Sequence, residues 1–320
     1  MPNPKISVII PAFNVEKYLS RCLDSVIGQS FEDMEIIVVN DGSTDGTKAI
    51  LEDYASRDSR IRIIDHPGNK GTLWTRKTGV EASSCDYITF VDSDDVLKPY
   101  GCEQMYEAAV ANDADLVIAG YEYCFFNGIR HAIRGKLKYG NSSHGVAKAM
   151  LENEVRRYNW AKLYDRRLFT DHPIEYLENF NLGEDQYLCF QIAKSVRNAV
   201  VIPDLVYEYY ENFESLTHGY SLKKCQDFIY SHFKIIEMAA EIDDEVHTMA
   251  ETFALKKIHS LMKDGDWKDR REILRLFTDR GMGYLVSFKG LRSHLGFRKA
   301  CTYWAFLHCS LVTRLVSKYF

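Results

Sequence analysis

The chain has 320 residues, 46% of them hydrophobic and 27% charged, with a formal net charge of −5. That composition excludes a disordered or fibrous chain and leaves a soluble globular protein of one large domain, or one domain plus an appendage. Eight cysteines without a C-x-x-C pair argue against a zinc site and a disulfide framework, which points to a reducing cytoplasm.

The N-terminus runs almost directly into a strand, so no signal peptide is expected, and no run of about 18 apolar residues predicts a spanning helix. Ile6–Ile10 is a β-branched run ended by Pro11, the pattern of a central parallel strand. Val15, Leu19, Cys22, Leu23 and Val26 recur at helical spacing. Met34–Val39 predicts the next strand, and Asn40-Asp41-Gly42-Ser43-Thr44-Asp45-Gly46 follows at its end. Glycines there allow a tight turn and close approach of a ligand to the backbone, although a purely structural turn needs the same residues.

A helix through Tyr54, a strand at Ile61–Ile64 and a helix over 72–83 lead to the most informative stretch, residues 86–95. Tyr87–Val91 reads as a buried strand, and Asp92, Ser93, Asp94 and Asp95 lie just past its carboxyl end, where open α/β sheets bind ligands. Carboxylates this crowded repel one another unless a cation or water relieves them. Magnesium or manganese on a nucleotide diphosphate meets that demand. A solvated, helix-capping turn is the alternative. The βαβαβ alternation predicts a sheet parallel in its first half and covered by helices on both faces, with Asp41 and Asp92 on one rim. Neither a GxGxxG fingerprint nor a GxxxxGK[ST] loop is present.

Beyond Pro99 the pattern predicts a helix to about Asn112, a strand at Asp115–Ala119 and hairpins over 121–145. In Trp160-Ala-Lys-Leu-Tyr164, Lys162 is either a partner for an anionic ligand or a surface lysine. Glu184 and Asp185 open an apolar helix carrying Leu188, Ile192 and Val196. The helix dipole favours acids there, and a carboxylate facing the site could equally be a general base.

Residues 221–280 predict helices with apolar positions at Phe228, Phe233, Ile236, Met238, Ala254, Ile258 and Leu261. Residues 281–320 hold six Lys or Arg and no acid, which leaves −11 on residues 1–280. From Phe297 onward, Cys301, Trp304, Leu307, Leu311, Leu315 and Tyr319 recur every three or four residues, flanked by Arg298, Arg314 and Lys318. Fourteen residues between Lys299 and Arg314 are too few to span a bilayer but suit a helix lying in an anionic membrane surface. A helix docked on the protein itself, or a dimer contact, is the alternative.

Taken together, these segments resemble the family 2 glycosyltransferases, the inverting enzymes with the GT-A fold. The resemblance rests on Ser7-Val-Ile-Ile-Pro-Ala-Phe-Asn14, Val39-Asn-Asp-Gly-Ser-Thr-Asp-Gly46, Asn69-Lys-Gly71 with Arg76 and Gly79, Phe90-Val-Asp-Ser-Asp-Asp95, Lys162-Leu-Tyr164 and Gly183-Glu-Asp185. It implies an α/β fold with a mixed, mostly parallel sheet flanked by helices, plus a C-terminal helical extension. The catalytic domain would span 1–217, with a donor-binding half at about 1–98 and an acceptor half at about 99–217. A helical extension over 218–280 and a membrane-associating or docking tail over 281–320 would follow.

The resemblance further implies that Asp41 holds a nucleotide base in a pocket shaped by Pro11 and Phe13, with Arg76 near the nucleotide. Asn14, Ser93 and Lys162 join the expected donor-binding residues. Asp92 and Asp94 would carry Mn2+ or Mg2+ and the diphosphate, Asp94 being the expected direct ligand and His218 a further candidate. Asp185 would be the general base, with Glu184 as substitute. The implied reaction moves a sugar from a UDP-sugar to a hydroxyl of a lipid-linked saccharide at the inner face of the membrane, without nucleic acid. Departures from the pattern are Asn40 before Asp41, Lys77 after Arg76, and Glu211 in the loop Glu211-Asn-Phe-Glu-Ser-Leu-Thr-His218. A non-catalytic scaffold subunit of a polysaccharide assembly complex, or a sugar nucleotidyltransferase, is the competing reading.

Overall fold

A computed structural model describes residues 5–178, 180, 182–212, 221–261 and 267–308. The chain divides into two compact units, residues 1–215 and 216–320.

The strands of the first unit are β1 (Ile6–Ala12), β2 (Met34–Asn40), β3 (Ile61–Asp65), β4 (Tyr87–Phe90), β5 (Val96–Leu97), β6 (Leu116–Cys124), β7 (Arg130–Ile133), β8 (Lys162–Asp165) and β9 (Ala199–Tyr210). Its helices are α1 (Leu19–Ile27), α2 (Thr47–Arg57), α3 (Thr72–Ala82), α4 (Gly101–Asn112), α5 (Ser143–Leu151), α6 (Arg167–Thr170) and α7 (Glu184–Ala193). One sheet runs β3-β2-β1-β4-β8-β6-β9-β5, with β7 paired to β6. The first four of these strands are parallel, as the alternation predicts, and the direction first reverses where β4 meets β8.

Every residue of β1 is buried, which requires cover on both faces of the strand. Ile6, Val8 and Ile10 pack with Leu19, Leu23 and Val26 of α1 and Leu51 of α2. Ile9 points the other way. A Cβ at Gly79 of α3 would stand 2.3 Å from the Cγ2 of Ile9, so that helix lies directly on the second face. Each such aliphatic side chain removed from water is worth about 1.5–3 kcal/mol.

Three elements depart from the sequence reading. The 121–145 segment contains a single hairpin, β6 with β7, and ends in α5 rather than in further strands. The short β5 and the twelve-residue β9 were not expected. Pro203 and Asp204 interrupt the β9 pattern, and the register against β6 jumps between Ile118↔Val201 and Gly120↔Leu205, placing the proline in a bulge.

The second unit is helical: α8 (Leu222–Ala240), α9 (Asp244–Leu261), α10 (Trp267–Asp279), α11 (Gly283–Val286), α12 (Phe288–Leu295) and α13 (Phe297–His308). Phe233, Ile236, Met238 and Ala254 are buried as their spacing predicts. The tail stripe splits: Leu307 is buried with Ala300, whereas Cys301 and Trp304 are exposed beside exposed Arg298 and Lys299. Leu311, Arg314, Leu315, Lys318 and Tyr319 lie outside the described residues, and the surroundings of the Ile258 and Leu261 side chains are likewise not described. Among the described residues no helix is long and apolar enough to cross a membrane.

Candidate active site

The ends of β1 and β2 are laced together. Asp41 N–H donates to the Ala12 carbonyl at 2.8 Å, Asn14 N–H to Ser43 Oγ at 3.0 Å, and Thr44 N–H to Asn14 Oδ1 at 2.8 Å. Asn14 adopts φ 51°, a left-handed conformation that asparagine tolerates better than most residues. Pro11 is buried within β1, and Phe13 just past its end is 42% exposed, an apolar ring left facing solvent. Asn40 explains itself here: its Nδ2 donates to Asp65 at 2.7 Å, where an aspartate would instead oppose a second carboxylate. Lys77, a second departure, lies over the Trp74 ring at 4.1 Å.

Asp41 is 2% exposed and is held by the chain itself. One oxygen lies 2.6 Å from His66 Nδ1 and accepts the Lys70 N–H at 3.0 Å; the other accepts the Gly71 N–H at 2.9 Å. His66 Nε2 in turn meets Thr78 Oγ1 at 2.9 Å. The carboxylate therefore fixes the 66–71 loop, and Gly42 lets that loop close in. Gly42 has φ +73°, and a Cβ there would stand 2.6 Å from the Gly68 Cα.

The acids after β4 sort into different environments. Asp92 to Asp95 is a tight turn closed by the Asp95 N–H on the Asp92 carbonyl at 3.0 Å, with Ser93 buried inside it. Asp95 is fully buried, accepts the Tyr207 hydroxyl at 2.8 Å and the Tyr210 N–H at 2.8 Å, and is pushed to a raised pKa by burial and by Asp94 and Asp92. It braces the turn against β9. Asp94 is less enclosed, accepting the Asn212 side-chain amide at 3.0 Å on one oxygen.

Arg76 joins this turn to α7. It is 1% exposed; one terminal nitrogen donates to Asp92 at 2.9 Å and the other to Asp185 at 2.5 Å. Burial opposes its charge, but Asp185, Asp92 and Glu184 more than offset that and raise its pKa. Asp185 also accepts the Asn159 side-chain amide at 2.8 Å. Gly183, at φ +90°, makes the turn that aims Glu184 and Asp185 at this arginine. Burial raises the Asp92 carboxyl to about 6; Arg76 opposes the rise while Asp185 and Asp94 add to it. Burial, with Asp185 adding and Arg76 opposing, takes Glu184 to about 8.

Lys162 is turned inward. It is 3% exposed, its ammonium donates to the Tyr158 carbonyl at 2.5 Å, and burial lowers its pKa. The surface-lysine alternative is thereby excluded, because β8 runs through the sheet interior. Beside it, Tyr158, Trp160 and Tyr207 stack with centroids 4.6 Å apart at each step, and Tyr158 is the exposed end, at 41%. Asn159 and Tyr207 carried no expectation from the sequence, and Asp95 was read only as one of the crowded acids, not as a brace. Of Asn159 and Tyr207, only Asn159, three residues before the matched Lys162-Leu-Tyr164, carried a positional hint.

Hard oxygen donors are present for a cation. Asp92 gives one oxygen to Arg76, and Asp94 is engaged by Asn212, so among the described residues each retains a second, unbonded oxygen. Among the described residues no group of three His, Cys, Asp or Glu side chains could hold a metal by itself. Such a set fits Mg2+ or Mn2+ completed by a substrate's phosphates. His218 lies outside the described residues.

The model of glycosyl transferase family 2 matches residues 7–170. EpsH of Bacillus subtilis, named as a glycosyltransferase, is 30% identical over 257 residues, 76% of this chain and 74% of EpsH. EpsJ of the same organism, an uncharacterized glycosyltransferase, is 32% identical over 222 residues, 67% of this chain and 63% of EpsJ. Staphylococcus aureus TarS, residues 1–349 in complex with UDP-GlcNAc, superposes with a TM-score of 0.67 at 18% identity, covering 98% of this chain and 89% of that one. At that identity the likeness carries the fold alone.

Proposed function

Because the chain belongs to glycosyl transferase family 2, we propose that it transfers a sugar from a UDP-sugar to a saccharide hydroxyl with inversion, using Asp185 as general base. The observation that carries this reading is the single cluster in which Arg76 ties Asp92, beside Asp94, to Asp185. That cluster puts an acid pair suited to a cation-bound diphosphate within one arginine of a carboxylate suited to an attacking hydroxyl. Glu184, at about 8, carries a proton at neutral pH and is a poor substitute for the base.

Asp92 and Asp94 would hold Mn2+ or Mg2+. The cation would offset the negative charge that develops on the leaving diphosphate. Phe13 and the Asp41-fixed loop would wall the nucleotide's base, so Asp41 acts on the base through the Lys70 and Gly71 amides rather than as a free carboxylate. Arg76 balances the acids and holds Asp185 in place. Asp185 accepts the acceptor's proton as the hydroxyl attacks the anomeric carbon from the face opposite the diphosphate. The exposed Tyr158 ring, stacked on Trp160, offers the acceptor half an apolar face for a sugar ring.

The tail supports a peripheral position on an anionic membrane at the cytoplasmic side, and with it a lipid-linked acceptor in cell-surface polysaccharide synthesis. The test is a thermal-shift panel of UDP-sugars with Mn2+, followed by UDP release with the best ligand. A donor-specific rise in melting temperature with turnover is expected. Binding without turnover toward any acceptor or water would favour a scaffold subunit, and no binding at all would overturn the reading.

A further inference from the structure

Resting on Asp185 as the base, we infer that Asn159 is a positioning residue which, with Arg76, locks one oxygen of Asp185 and reserves the other for the acceptor's proton. Asn159 is fully buried, and its Nδ2 donates to Asp185 Oδ1 at 2.8 Å. Arg76 donates to that same oxygen at 2.5 Å. Among the described residues nothing bonds Oδ2, and the Asp185 side chain keeps 22% of its surface exposed. Two donors on one oxygen leave only Oδ2 open to a hydroxyl.

The amide cannot reverse without cost. An ionised carboxylate only accepts, so the Asn159 NH2 group must face it. The other end of the amide is met by the Cys189 thiol, one turn into α7, 3.2 Å from Asn159 Oδ1 and 3.3 Å from the Tyr158 carbonyl. The Tyr164 hydroxyl donates to the Asn159 main-chain oxygen at 3.1 Å, fixing the backbone as well. In transfer, the acceptor O–H proton passes to Asp185 Oδ2 while the acceptor oxygen bonds to the anomeric carbon. The bond from that carbon to the diphosphate breaks, and its electron pair leaves on the diphosphate.

The experiment follows UDP release from UDP-glucose and UDP-N-acetylglucosamine with Mn2+, water serving as acceptor, and measures UDP affinity by calorimetry. Asn159→Ala is expected to lower turnover about 10- to 100-fold, the loss of a hydrogen bond to a charged group, with UDP affinity unchanged. Residues acting as one unit are not additive, so Asp185→Asn combined with Asn159→Ala should be no slower than Asp185→Asn alone. Asn159→Leu, which keeps roughly the shape and removes the donor without adding a charge, is the second variant should alanine impair folding. Without substrate, the Asn159→Ala and Asp185→Asn cycle in urea should show coupling of about fivefold or more in the folding equilibrium. Wild-type turnover of Asn159→Ala beside an inactive Asp185→Asn, multiplicative losses, or zero coupling would each overturn the inference alone. Wild-type turnover of Asp185→Asn would overturn the base assignment, and the inference with it.

Discussion

Arg76 meets Asp185 at 2.5 Å although 109 positions separate them in the chain. The same guanidinium reaches Asp92 at 2.9 Å, so a helix on one face of the sheet, a turn at its rim and the start of a later helix share one buried cation.

Arg76→Met should therefore cost stability. Removing one partner of a buried ion pair costs about 3–5 kcal/mol, and the value here should fall toward the lower end because Asp92 and Asp185 keep 26% and 22% of their side-chain surface. Urea unfolding reads this directly; an unchanged midpoint would contradict it.

Glu184 sets a pH dependence whose sign is definite. Its folded value of about 8 stands above the ordinary 4.5, so the folded protein keeps a proton that the unfolded chain releases. The stability this contributes is complete below pH 4.5 and is lost as pH rises toward 8, with Asp92 adding a loss in the same direction between 3.8 and about 6. Glu184→Gln should raise the melting temperature at pH 8 and flatten the slope below it. A lower melting temperature than wild type at that pH would refute the assignment.

Asp94→Ala tests the cation. Mn2+ titration of UDP binding should weaken by at least the ~10–100-fold that loss of an outer-shell partner causes. Because Asp94 is bound by Asn212 at a partly open position, the fold should survive the change. An unaltered titration would remove Asp94 from the metal site.

Gly42→Ala tests the Asp41 loop. A methyl 2.6 Å from the Gly68 Cα, on a residue at φ +73°, forces the turn apart at a cost of about 1–3 kcal/mol. UDP affinity should fall with stability, and retention of both would show that the loop adapts.

The tail requires a surface change rather than a deletion, because Leu285, Val286 and Leu291 within residues 281–320 are buried in the second unit's core. Arg298→Glu with Lys299→Glu should reduce sedimentation with vesicles of anionic lipid several-fold, since each basic residue near such a surface contributes about 1 kcal/mol. Binding at full strength would leave the tail as a docked element.

Apart from the two-residue β5, strand and helix positions in residues 6–119 were legible because period-2 and period-3.6 patterns reflect which faces water must leave, a local property of the chain. The acids at 92, 94 and 185 were legible as chemistry, since adjacent charges at element ends are visible without a fold. Four things were not: that Asp41 is spent on the Lys70 and Gly71 amides, that Lys162 points inward, that Asp95 braces β9, and that Asn159 reaches Asp185. Three of these depend on a hydrogen bond between segments apart in sequence, and the inward turn of Lys162 depends on the place of β8 within the sheet; no periodicity encodes which donor fills which lone pair. The amino-acid order determined the sheet's parallel half and the acids at its rim. Tertiary packing alone decided which of those acids are held inside the protein and which keep an oxygen that no described residue bonds.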